Sequence, residues 1–170
     1  MNEYSTMGGN RVSDMLANRL DWAEKVLPCV GYGAVSPSDR KKLLVVTLQT
    51  ITVVKVLRFC LKPYIHPALA ILECGLRDPE VKMGLAERIY IWPCLWFLRR
   101  AAKMHGDQPG VNDGLMCRWF WTHDPKYLQV LVNRSKLLNE IGISCYWMLK
   151  SIRQRDGALD AALNDLGIYL

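Results

Sequence analysis

No stretch of this 170-residue chain supplies the roughly 20 consecutive, mostly apolar residues that a membrane-spanning helix requires. The nearest are Leu43 to Leu57, interrupted by Thr47, Gln49, Thr50, Thr52 and Lys55, and Ile89 to Leu98, about half the needed length. Any membrane attachment is therefore expected to be peripheral or interfacial. The six cysteines (Cys29, Cys60, Cys74, Cys94, Cys117, Cys145) form no C-x-x-C pair, and no N-terminal signal sequence is legible. Reduced, buried thiols facing the cytosol are expected rather than a disulfide framework, and the sequon at Asn133 carries no meaning there. Glycine-rich phosphate loops and metal-ligand spacings are missing too. The histidines at 66, 105 and 123 are scattered, and a Cys117–His123 thiol-nucleophile pair would have no orienting partner or oxyanion hole. No enzymatic activity, cofactor or metal is expected. Sustained period-2 alternation is absent. The run from Leu43 to Val56, rich in Val, Ile and Thr, would pass for a buried strand, but no turn signal divides it between Pro37 and Pro63.

What is present is apolar area and positive charge. Hydrophobic residues make up 51% of the chain and charged ones 22%, more apolar than a typical soluble domain of roughly 25% charge. The formal net charge of +6 favours an anionic partner: lipid, nucleic acid or an acidic protein face. The cations are dispersed as Arg40-Lys41-Lys42, Lys55-Arg58-Lys62, Arg99-Arg100-Lys103 and Arg134-Lys136. That spacing suits patches on helices, not a basic tail.

Residues 1–12, polar and glycine-bearing, read as a flexible tail, and residues 13–170 as one helical domain. Ser36-Pro37, Asp78-Pro79 and Asp124-Pro125 read as helix starts, because a cap oxygen accepts a free N–H and proline suits the first helical position. Helices are expected at 13–30, 37–62, 66–76, 79–105, 125–155 and 158–167, joined by Gly31-Tyr32-Gly33, Pro63 and a loop from Gly106 to Gly114. The expected fold class is all-α, a bundle of about five to six helices with one long amphipathic member.

In the helix expected at 37–62, Val46, Thr50, Val53, Leu57, Cys60 and Leu61 share one face, while Lys55, Arg58 and Lys62 cluster opposite. Such a helix either packs its apolar stripe into the core or lies in a headgroup layer. In the second case Lys55, Arg58 and Lys62 would meet lipid phosphates, and Val53, Leu57 and Leu61 would enter the acyl region. Trp92, Trp96 and Trp119 are candidate interfacial aromatics. Arg118-Trp119-Phe120-Trp121 also mixes a cation with rings, as single-stranded nucleic-acid platforms do, or serves as a buried anchor.

Three segments, in order, resemble the peroxin-11 family. Glu24-Lys25-Val26-Leu27-Pro28-Cys29-Val30-Gly31-Tyr32-Gly33 is similar to its N-terminal D-K-V-L-x-x-x-Q-Y-G signature, with Glu24 in the acidic place and Gly31 where glutamine is usual. Thr50 to Phe59 is similar to its amphipathic helix, and Arg88 to Phe97 to its N-x-x-Y-x-x-x-D-x-x-x-W segment, without the usual asparagine and aspartate. Leu163 to Tyr169 resembles the region before the family's final hydrophobic stretch. The chain ends where members commonly continue into a membrane segment, so a truncated chain or a purely peripheral attachment is expected. The resemblance implies a peroxisomal or glycosomal protein on the cytosolic face. It would insert an amphipathic helix into anionic lipid, self-associate as a homo-oligomer, and elongate the membrane ahead of a dynamin-related GTPase. The alternative expectation is a small basic helical protein, of the kind found in viruses, that binds RNA or host proteins. A third is an adaptor that docks partner helices.

Overall fold

The computed structural model describes residues 37–57, 65–105 and 110–170. The expected tail, the helix at 13–30, the Gly31-Tyr32-Gly33 and Pro63 linkers, and Arg58, Leu61 and Lys62 lie outside them. Among the described residues the fold is all-α, with seven helices and no strand. They are α1 (Pro37–Leu57), α2 (Ile65–Arg77), α3 (Leu85–His105), α4 (Gly110–Thr122), α5 (Pro125–Ser135), α6 (Glu140–Arg153) and α7 (Gly157–Asp165).

α2 is the central element, because its sequence is apolar on nearly every side. Ile65, Ala68, Leu69, Ala70, Ile71, Leu72 and Cys74 are all buried. It packs against α4, α3 and α1, and α1 also packs against α3, while α5, α6 and α7 follow in chain order from α4. The α1 contribution is Leu43, Leu44, Leu48 and Ile51, spaced at helical intervals and all buried. The Leu43–Val56 segment is thus a helix despite its β-branched content, but the side it buries, with Leu43, Leu44, Thr47, Leu48 and Ile51, is not the expected Val46–Thr50–Val53–Leu57 face, of which Val46 is half-buried. The core continues through Ile91, Leu95 and Leu98 of α3, Trp119 and Phe120 of α4, Leu128 and Leu131 of α5, Leu149 of α6, and Leu159 and Leu163 of α7.

Three boundaries differ from the sequence expectation, each for a local reason. Asp78-Pro79 opens a turn, not a helix, and α3 begins at Leu85, where Glu87 accepts from the Gly84 N–H. The expected loop from Gly106 to Gly114 instead contains the start of α4, whose Gly110, Asn112 and Gly114 are buried. The expected 125–155 helix is broken at Lys136–Asn139. There the Asn139 side chain accepts from the Gly142 N–H and caps α6. The Asp124-Pro125 start is confirmed: Asp124 accepts from the Lys126 N–H at 3.1 Å.

Candidate functional site: the outward face of the third helix

α3 has 21 residues, about 31 Å at 1.5 Å per residue. Its inner side buries Ile91, Cys94, Leu95 and Leu98. Advancing 100° per residue, Leu85, Ile89, Trp92 and Trp96 fall within one narrow stripe on the opposite side. These four are 78%, 60%, 57% and 62% exposed, so a continuous apolar stripe faces outward. Single exposed hydrophobics are ordinary; four in register are not.

The same stripe continues into cations. Arg88 flanks Ile89 and Trp92, Arg100 lies over the Trp96 ring at 5.5 Å, and Lys103 completes the exposed row. Arg99 turns inward to Glu73 of α2 at 3.1 Å, so the two adjacent arginines have different tasks. Pro93 sits on the outward side, where helix α3 continues through it although the Ile89 carbonyl lacks its usual intrahelical donor. Beside the stripe runs a groove of about 580 Å³ lined by Leu76, Arg77, Val81, Met83, Arg88 and Trp92, with Lys82 and Asp78 at its edge. Asp78 is already engaged elsewhere, so three cations dominate the groove.

That engagement is structural. Asp78 accepts from the Arg40 guanidinium at 3.0 Å, the Trp121 indole N–H at 2.8 Å and the Glu80 backbone N–H at 2.9 Å. Burial alone would raise its pKa. These donors outweigh burial and hold the carboxyl below its ordinary value. Glu73 behaves likewise: burial opposes, but Arg118 at 2.7 Å and Arg99 prevail and lower its pKa. The smaller cleft of about 240 Å³ between Arg40, Arg77, Arg118 and Trp121 is therefore walled by carboxylates that already have partners.

The expected site residues separate. Trp92 and Trp96 share the outward stripe, but Trp119 is 2% exposed and belongs to the core, stacked edge-on to Phe120 at 5.1 Å. It is not an interfacial residue, and the Arg118–Trp121 run is no stacking platform: Trp119, Phe120 and Trp121 are buried, and Arg118 is bound to Glu73. The backbone is helical through Val53, Lys55 and Leu57; the positions of their side chains, like Arg58, Leu61 and Lys62 entirely, lie outside the described residues. Leu85 and Ile89 were missed in sequence, although their spacing to Trp92 and Trp96 was the available signal.

Burial disfavours the thiolate at the cysteines of the core. Cys74, Cys94, Cys117 and Cys145 are free and buried. Burial pushes the Cys117 thiol far up and the Cys145 thiol to about 11. His123, at φ 51°, closes α4 in the left-handed region and stacks on Trp119 at 5.1 Å. Among the described residues no helix is long and apolar enough to cross a membrane, and no cluster of three or more metal-type side chains converges.

No family model, curated protein or solved structure matches this chain.

Proposed function

We propose that this chain is a non-enzymatic peripheral protein that lies on an anionic membrane through the outward face of α3 and thereby bends or elongates it. The observation carrying this reading is the register of Leu85, Ile89, Trp92 and Trp96 on one exposed face, continued by Arg88, Arg100 and Lys103. A helix of this kind lies in the plane of the interface, with aliphatic side chains among acyl chains, tryptophans at headgroup level and cations on phosphates.

The magnitudes are adequate for reversible attachment. Removing the remaining exposed area of each apolar side chain contributes about 1–2 kcal/mol. Each cation near an anionic leaflet adds about 1 kcal/mol. Immobilising the protein offsets part of this sum, so the net binding is moderate and sensitive to salt.

Insertion into one leaflet expands it relative to the other and favours curvature. The segment resembling the third peroxin-11 motif, Arg88 to Phe97, is the same stretch that carries the stripe. This coincidence supports a peroxisomal or glycosomal membrane, cytosolic face, as the site of action, with a dynamin-related GTPase completing fission. Lys55, Arg58 and Lys62, with Val53, Leu57 and Leu61, are a proposed second contact.

Flotation with vesicles containing phosphatidylserine tests the reading. The intact protein is expected to float, to remain soluble with neutral vesicles, and to be released by high salt. Replacing Arg88, Arg100 and Lys103 by Glu is expected to abolish flotation, and reversing Lys55, Arg58 and Lys62 in the otherwise unchanged chain to weaken it. A protein that ignores anionic vesicles but binds RNA with steep salt dependence would refute the proposal and favour the nucleic-acid alternative.

A further inference from the structure

A second exposed patch lies far along the chain from α3, on the outer face of α6. Its inner face buries Gly142, Cys145 and Leu149. Its outer face presents Glu140, Ile143, Trp147 and Lys150, with Ile143 57% and Trp147 60% exposed. Leu138, just before the helix, is fully exposed and extends the patch. The Lys150 ammonium sits over the Trp147 ring at 5.4 Å and the Tyr146 ring at 5.7 Å. Glu140 has no ion-pair partner among the described residues.

The spacing of these four residues is three, four, three, the a/d repeat of a coiled-coil seam. Their order, acidic–apolar–apolar–basic, is complementary to itself when reversed. Two α6 helices placed antiparallel about a two-fold axis near Cys145 set Ile143 against Trp147 of the second copy and Glu140 against its Lys150. Symmetry repeats both pairs. A parallel arrangement would instead oppose Glu140 to Glu140 and Lys150 to Lys150, which is repulsive. We infer that α6 is a homodimer interface in which a second copy of this chain packs antiparallel through Ile143 and Trp147, with its register set by Glu140–Lys150 pairs.

Charge complementarity selects the occupant. An anionic membrane would leave Glu140 in the contact facing like charge, whereas a second copy satisfies it. The inference does not depend on the membrane reading, since dimerisation is measured without lipid.

Sedimentation equilibrium of the full chain at low ionic strength is the test. Wild type is expected to form a dimer, and Lys150→Glu, which sets Glu against Glu140, to raise the dimer Kd by about tenfold or more. The double swap Glu140→Lys with Lys150→Glu restores opposite charges and is expected to return Kd to within about threefold of wild type. Circular dichroism checks that each variant keeps its helicity, as Glu140 is exposed and Lys150 half-buried at the helix surface. A wild-type monomer at all concentrations, a dimer indifferent to Lys150→Glu, or a failure of the double swap to restore association would each overturn the inference.

Discussion

Asp78 gathers three donors from distant parts of the chain: the Arg40 guanidinium of α1, the Trp121 indole of α4 and the Glu80 backbone. Replacing Trp121 by Phe removes one hydrogen bond to a carboxylate and is expected to lower stability by about 2 kcal/mol, read as a lower denaturant midpoint at unchanged m-value. The Asp78 and Glu73 carboxyls are held below their ordinary values, so they contribute stability that is complete above the unfolded values. That contribution is lost as pH falls through the folded ones. The melting temperature is expected to be flat near neutrality and to decline below about pH 4. Asp78→Asn should be less stable at neutrality and show a shallower acid decline. In sequence Asp78 reads as a helix cap, because Asp-Pro has that local meaning. Its role as a hub depends on partners 38 and 43 residues away, which no local pattern encodes. Asn112 is a similar case: within a glycine-rich stretch it reads as loop, yet it is 1% exposed, donates to the Ile141 carbonyl at 3.0 Å and accepts from Arg134 Nε at 2.7 Å.

Among the elements, periodicity and caps made several helices legible, although the Asp78-Pro79 cap signal opens a turn and the buried side of α1 differs from the expected one. α1, α2 and the Asp124-Pro125 start of α5 follow from their residues. α4 is hidden because Gly110 and Gly114 are residues that usually punctuate helices, whereas Gly114 serves here as a thin spot for close packing. A Cβ on Gly114 would sit 2.9 Å from the backbone carbonyl carbon of His66, so α4 approaches α2 closely at that point. Gly114→Ala is expected to cost about 1–3 kcal/mol, lowering the melting temperature by several degrees, although alanine is the better helix former. The α5–α6 break was hidden for a related reason. A Cβ on Gly142 would collide with the Leu137 carbonyl, so the tight turn before α6 relies on glycine inside the helix, not after it. In α3 the sequence singled out Trp92 and Trp96, which the structure places together. It also grouped Trp119 with them, because composition does not distinguish a buried ring from an exposed one.

For the whole molecule, the apolar surplus seen in composition is distributed unequally. Among the described residues most of it builds the core around α2, and two exposed patches differ in character. The α3 stripe is bordered almost entirely by cations, which suits an anionic surface; the α6 stripe ends in one acid and one base, which suits its own copy. A dimer carrying two α3 faces would gain avidity on a membrane only if both faces reach it together. Lys150→Glu is therefore expected to leave the anionic-lipid requirement in flotation intact, whereas removing the α3 cations abolishes flotation without changing the dimer.

Attachment through α3 requires Trp92 and Trp96 to enter the lipid interface. Quenching of tryptophan fluorescence by brominated acyl chains in anionic vesicles tests it most directly. Six tryptophans contribute to the signal, so the comparison is with Trp92→Phe/Trp96→Phe, which keeps the other four and the apolar stripe. A blue shift and strong quenching are expected in wild type, with most of that quenching lost in the double variant while it still binds vesicles. Quenching that is absent in wild type, or undiminished in the variant, would contradict it.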